Sequence, residues 1–192
     1  MKTILDNIIN SDGIVMIYSQ YIYGGCVPIA LALEELGMKR FGRDSLFKEP
    51  ASESIDAITM MPKSEYIESK NNRKFIPAKY AMITGDIEHS PNNNEELELL
   101  NSSKNLNGEY CKVVLISQAG SEGIDFKNLR QVHIMEPWYN LNRIEQIIGR
   151  AIRNCSHKDL PLNKRNCQIY LHSTNLDEDV EAIDLMMYRN AE

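Results

Sequence analysis

Residues 141–153, LNRIEQIIGRAIR, set Gln146, Gly149, Arg150 and Arg153 at i, i+3, i+4 and i+7. At about 100° per residue these four share one side of a helix. Leu141, Ile144, Ile147, Ile148, Ala151 and Ile152 fall on the opposite side. Two guanidinium groups one turn apart form a forked donor array suited to phosphate oxygens. Gly149 costs a helix interior about 1 kcal/mol relative to Ala, so it points to close approach by another surface or ligand. An ordinary amphipathic helix with a charged outer face produces the same pattern, and on spacing alone the two readings weigh equally.

A second segment upstream tips the balance. Residues 116–125, ISQAGSEGID, follow an apolar run with a small-residue loop containing Gly120 and Gly123. Such loops leave backbone N–H groups free to meet phosphate and let a ligand come close. Asp125 at the far end suits hydroxyls, for example those of a ribose. A glycine turn with an Asp cap accounts for any one of these residues, less well for the whole arrangement.

Other chemistry is missing. The chain has no G-x-x-x-x-G-K-[ST] loop and no G-x-G-x-x-G. Gly24-Gly25 reads as a plain turn. Asp177, Glu178 and Asp179 resemble an acidic ATPase box but lie four polar residues past a strand end, so they read as the first turn of a final helix. Cys155 and His157 are two donors without a partner pair, so no metal centre is expected. On its own the chain is not expected to hold and hydrolyse ATP in the P-loop manner.

Positioning these residues falls to an alternation of apolar runs and amphipathic stretches. Strands are expected at 14–18, 81–83, 113–116, 132–135 and 169–171. Helices are expected near the N-terminus, at 29–36, 95–106, 141–153 and 176–189. Continuous apolar strand cores alternating with helices predict an α/β fold with a parallel sheet covered on both faces. Residues 38–80 break the rhythm, with dense charge and Pro50, Pro62 and Pro77, and read as a long connection or insertion at the sheet rim, partly ordered around Phe41, Leu46 and Phe47.

The chain has 192 residues, 43% hydrophobic and 25% charged, which suits one domain with a real core and rules out wholesale disorder. No apolar run approaches a membrane span, so no membrane partner is expected. The four cysteines, Cys26, Cys111, Cys155 and Cys167, are scattered and read as reduced thiols in a cytoplasmic setting. The net charge of −6 disfavours general affinity for nucleic acid, yet residues 127–170 carry eight Lys or Arg against three acids. A local basic stretch can meet phosphates where the average surface cannot.

Taken together, Ser117 to Phe126 and Q-x-x-G-R-x-x-R resemble motifs V and VI of superfamily 2 helicases. Residues 13–37, with Ser19 and Gln20 after the strand, resemble motif IV, and Thr84-Gly85-Asp86 the short nucleic-acid-contacting motif that follows it. The chain, 1–192, is thereby identified as similar to a helicase C-terminal, second RecA-like domain with 38–80 inserted. It looks closest to the transcription ATPases of poxviruses and related large DNA viruses. The glutamine of motif VI departs from the histidine of DEAD-box RNA helicases and disfavours that subgroup. The resemblance implies that Arg150 and Arg153 reach the γ-phosphate, Arg153 as arginine finger, with Gln146 and Gly149 in the same motif. It implies that Gly123 and Asp125 border the nucleotide, and that Ser19, Gln20, Thr84, Gly85, Ser117 and Gln118 line the nucleic-acid backbone path. ATP and Mg2+ would be held mainly by an N-terminal RecA-like domain of the same protein, and viral transcription machinery would be a partner. The alternative is a non-catalytic module that keeps this fold to bind nucleic acid or a transcription partner.

Overall fold

In the computed structural model, which describes residues 1–191 apart from 50, 52, 87, 92, 122, 175 and 177–180, six strands form one sheet. They are β1 (Ile14–Tyr18), β2 (Lys39–Arg40), β3 (Lys79–Ile83), β4 (Val113–Ile116), β5 (Leu129–Ile134) and β6 (Gln168–Leu171). The order is β2-β3-β4-β1-β5-β6 and every pairing is parallel, a RecA-like α/β arrangement. All five residues of β1 are buried, as a central parallel strand requires when both faces are covered.

Alternation along the strands divides the core in two. Val15, Ile17, Met82 and Leu115 point to one face, covered by α1 (Lys2–Ile9) through Ile4 and Ile8 and by α2 (Val27–Glu35) through Ile29, Ala30 and Leu33. Ile14, Met16, Ile83, Val114 and Ile134 point to the other. There they meet Leu100 of α4 (Asn93–Leu100) and Ile144, Ile147 and Ala151 of α5 (Leu141–Ala151). From β1 the chain runs to the far edge at β2, and from β4 it passes over β1 to β5. The loops leaving the carboxyl ends therefore converge around β1, where open α/β sheets bind ligands.

Several boundaries differ from those expected. β1 and β4 match, while β3 and β5 begin earlier, at Lys79 and Leu129. β2 was not expected, because it is two charged residues held at the edge by backbone bonds from Lys39 N to Ala78 O and from Phe41 N to Tyr80 O. α4 gives way to a short 3-10 turn, Ser103–Asn105. The last helix, α6, is Ile183–Ala191, and Asp177, Glu178 and Asp179 lie outside the described residues. α5 ends at Ala151, so Arg153 is not on the helix; Ile148 is half-buried and Ile152 is 41% exposed rather than on the apolar face.

The insertion is packed rather than merely connecting. Ile55, Ala57 and Met60 join the core, and α3 (Lys63–Glu68) buries Tyr66. The Asp56 carboxylate, fully buried, accepts bonds from the amides of Ile58, Thr59 and Ile76 and from the Thr59 hydroxyl, and pairs with Arg73. Glu34 plays a similar part at the other end, accepting from the Leu46 and Phe47 amides at 2.8 and 2.9 Å and from the Tyr80 hydroxyl at 2.6 Å. Phe41, Leu46 and Phe47 are half-buried. Periodicity carries no trace of such polar anchors.

Two predictions follow from this packing. Ile147→Ala should lower stability by about 2–5 kcal/mol, because it opens a cavity between α5 and the sheet, and Ile152→Ala by under about 1 kcal/mol; urea melts of both variants would check the contrast. Burial pushes the Asp56 pKa up, but the bonds from Thr59, Ile76 and Ile58 outweigh it and leave the pKa below the ordinary value. The unfolded carboxyl thus takes up its proton first, so this contribution is complete above about pH 4 and is lost as pH falls through the lower native pKa. The stability gap between the wild type and Asp56→Asn should therefore narrow on acidification; a gap unchanged down to about pH 2 would contradict the assignment.

Candidate nucleotide and nucleic-acid interface

At the carboxyl edge, hydroxyls that end three strands fasten the loops to one another. After β1, the Ser19 hydroxyl lies 2.6 Å from Glu136 Oε1, on the loop after β5, and the Gln20 amide donates to Glu136 Oε2 at 3.1 Å. After β3, the Thr84 amide donates to Ser90 Oγ at 2.8 Å. After β4, the Ser117 hydroxyl donates to the Thr84 carbonyl at 2.6 Å and accepts from the Gly120 amide at 3.3 Å. Burial raises the Glu136 pKa, and the Ser19 bond opposes that shift. Two glycines permit the close fit: a Cβ at Gly25 would lie 1.8 Å from Ser19 Oγ, and one at Gly120 would lie 1.8 Å from the Ile83 carbonyl oxygen.

This arrangement turns inward three of the hydroxyls expected on the nucleic-acid path. Ser19, Thr84 and Ser117 are 1%, 0% and 2% exposed, so their hydroxyls are spent inside the protein rather than presented to a backbone. A buried hydroxyl must find a partner nearby or pay for its lost hydration, and the neighbouring loops supply one. Gly85 and Gln118 are exposed and Gln20 is half-buried.

Beside these loops, α5 and the turn before it wall a cleft of about 350 Å³. Gln118, Arg143, Gln146 and Arg150 line it together with Tyr18, Asn140, Asn142 and Ile147. Among the described residues the lining offers two guanidinium groups and several amides and no carboxylate. Such a donor set suits anionic oxygens. Arg150 is steadied by a 3.4 Å bond to the Ile124 carbonyl, and the Arg143 guanidinium stacks 4.2 Å from the centre of the half-buried Trp138 ring. Burial raises the Tyr18 pKa, partly offset by Arg143, so the phenol stays protonated at neutral pH. Arg143 was missed, although Arg143, Gln146 and Arg150 form an i, i+3, i+7 stripe that the spacing already held. Tyr18, Asn140 and Asn142 left no comparable signal.

Arg153 stands apart from this cleft. Its Nη1 lies 2.6 Å from Asp125 Oδ2, and the two side chains are 57% and 50% exposed. Asn101, also missed, donates to the Asp125 carbonyl at 2.9 Å and accepts from the Lys127 amide at 2.8 Å, which fixes the end of the loop. Gly123 is exposed with φ +72°. Gly149 is exposed, and a Cβ there would meet nothing within 4 Å, so the expected close approach is not made by this chain's described residues. The His157 ring nitrogens lie 2.8 Å from Ser156 Oγ and 2.6 Å from the Leu129 carbonyl oxygen, which explains that histidine without a metal. Among the described residues only Asp86, Glu88 and His89 gather three possible metal ligands, within 4.8 Å of one another, and none of them lines the cleft. No helix of the described residues is long and apolar enough to cross a membrane.

Comparison with known proteins bears on the whole arrangement. The model of the helicase conserved C-terminal domain matches residues 33–155, which include the cleft-lining residues of α5 and the loop after β4. A protein named as an ATP-dependent RNA helicase of Acanthamoeba polyphaga mimivirus is 44% identical over 85 residues, 42% of this chain and 10% of that protein. A termination factor NPH-I homolog of African swine fever virus is 33% identical over 174 residues, 88% of this chain and 24% of that protein. A protein named as a helicase of Invertebrate iridescent virus 3 is 28% identical over 181 residues, 92% of this chain and 16% of that protein. The chain thus spans at most about a quarter of the length of these relatives. With more than half of its residues matched and a parallel sheet that gathers the motif loops at one edge, the chain belongs to the helicase conserved C-terminal domain family.

Proposed function

We propose that this domain is the second motor domain of an ATP-dependent nucleic-acid helicase or translocase, working against a P-loop domain of the same protein in viral transcription. The cleft with Gln118, Arg143, Gln146 and Arg150, whose described lining residues include no carboxylate, is the observation that carries the reading. In this reading Arg150 faces the nucleotide phosphates, Gln146 contacts the acidic motif of the P-loop domain, and Gly123 and Asp125 border the ribose. Mg2+ belongs to the P-loop domain, in keeping with the described lining. Gln20, Gly85 and Gln118 form the nucleic-acid backbone path, and the work takes place in the cytoplasm. The relatives' names, RNA helicase and termination factor, support nucleic acid as the track and transcription as the setting.

Arg153 needs one rearrangement. It is paired with Asp125 here, but both side chains are at least half exposed and such pairs are worth about 0–1 kcal/mol. When the domains close, Arg153 exchanges that carboxylate for the γ-phosphate, where charge develops in the transition state and Asp125 is left to the ribose. An arginine so delivered is worth about 10³–10⁵ in rate.

The 192-residue chain alone should show no ATPase activity and should bind nucleic acid weakly, with affinity that falls as salt rises. In the intact protein, Arg153→Ala should lower kcat by about 10³-fold or more with little change in melting temperature. Arg153→Lys should rescue poorly, since a point charge lacks the planar fork. ATPase rates and melting curves on the same preparations test this. A folded Arg153→Ala protein that hydrolyses ATP at the wild-type rate would remove the finger, and loss of every nucleotide effect would leave the non-catalytic binding module.

A further inference from the structure

We infer that Tyr23, with Tyr21 beside it, forms a stacking platform for unpaired bases of a nucleic-acid strand. The inference rests on the nucleic-acid reading above and deepens it, because the hydroxyls expected to meet the strand are buried and something else must face it.

Three observations carry it. First, the loop after β1 does not pass straight into α2 but forms a π-helical turn, Ile22–Cys26, a rare conformation that concentrates at functional sites. Second, on and next to this turn Tyr21 and Tyr23 are 56% and 68% exposed, two large aromatic rings left in solvent beside Gln20. A single exposed tyrosine needs no explanation, but one on this rare turn and one at its N-cap set two rings in solvent on one loop at the ligand edge of the sheet. Third, the Tyr23 ring is held in place. It meets the His89 ring edge to face at 5.2 Å, and His89 Nδ1 lies 2.9 Å from Asp86 Oδ2, on the loop that carries Gly85. The Tyr21 amide is fixed on Ser19 Oγ at 3.1 Å. The platform therefore bridges the loops after β1 and β3, whose exposed residues Gln20 and Gly85 belong to the proposed path.

The charges nearby decide what kind of contact it makes. Asp86 bonds the His89 ring, the half-buried Glu136 bonds the Ser19 hydroxyl, Glu88 is exposed on the loop of His89, and Arg40 and Arg43 donate to the His89 and Glu88 carbonyls. A patch of that balance neutralises few phosphates. Its affinity comes from ring faces, which stack on any base without regard to sequence. Tyr23 thus contributes to the strength of binding and not to its salt dependence.

The test uses the 192-residue chain with labelled single strands of about 12 nucleotides, within the usual site size, in three forms: oligo-U, oligo-dT and an abasic strand of equal length. Anisotropy titrations at several salt concentrations compare the wild type with Tyr23→Ala, Tyr23→Leu and Tyr23→Phe. Tyr23→Ala and Tyr23→Leu should each weaken binding to the preferred base-bearing strand by about 5- to 150-fold, leave abasic binding unchanged, and keep the slope of log Kd against log salt. Tyr23→Phe should stay within about twofold of the wild type, because the ring face is kept. The leucine variant, apolar without a π face, decides the matter if the alanine variant is poorly folded. Equal affinity of Tyr23→Ala or Tyr23→Leu and the wild type, or an equal loss on the abasic strand, overturns the platform. Wild-type binding that ignores the presence of bases overturns stacking yet leaves a backbone-gripping domain standing. No binding to any strand at low salt overturns both.

Discussion

Ser19, Thr84 and Ser117 each occupy the position just past a buried parallel strand, where the sheet has already shut out water. A hydroxyl left there unpaired costs about 1–3 kcal/mol, so each must bond to a neighbouring loop or the edge opens. The solution is reciprocal. The Ser117 hydroxyl donates to the Thr84 carbonyl, the Thr84 hydroxyl lies 3.0 Å from Ser90 Oγ within its own loop, and the Ser19 hydroxyl bonds Glu136 across β1 and β5. The cleft, the proposed path and the aromatic turn all adjoin loops tied by these bonds. Gly25 and Gly120 belong to the same constraint, because any side chain there would occupy the space of a bonded oxygen or carbonyl.

The sequence reveals most where a single physical demand dominates. β1 and β4 are buried on both faces and must be continuously apolar, so their bounds are readable to the residue. β2 is a charged edge pair whose strand character lies entirely in backbone bonds to the chain around β3, and no side-chain pattern announces it. The insertion hides for a related reason. Its anchors, Asp56 and Glu34, are buried acids satisfied by amides distant in sequence, and a periodicity window registers them as surface charge. At the site, the residue types were readable but their exposure was not. Nothing in the local spelling of Ser19 or Thr84 says that a hydroxyl will turn inward, whereas Arg143 stood on a stripe already in view.

α5 separates two ways of placing an arginine. Ile144, Ile147 and Ala151 lock one side of the helix onto the sheet, so Arg143, Gln146 and Arg150 inherit a fixed relation to the cleft. Catalysis by positioned charge gains most from groups that need no reorganisation when the reaction occurs. Arg153 is placed differently. It lies past the end of α5, next to the exposed Ile152, and its location is set by a solvent-screened ion pair.

In the proposed motor that difference would give the two arginines different parts. Arg150 is restrained by the helix and by the Ile124 carbonyl, so it can sense a phosphate only where the rigid domain brings it. Arg153 is held by an interaction worth about as much as thermal energy, up to roughly 1 kcal/mol, and a triphosphate carries more charge than the single carboxylate of Asp125. In the proposed motor, closure of the domains would exchange one partner for a stronger one at little cost. The released Asp125 would stay where it is, because Asn101 holds its carbonyl and the Lys127 amide. On that reading a finger resting on the residue that borders the ribose would become available when a nucleotide arrives to take both, tying occupation of the site to delivery of the charge.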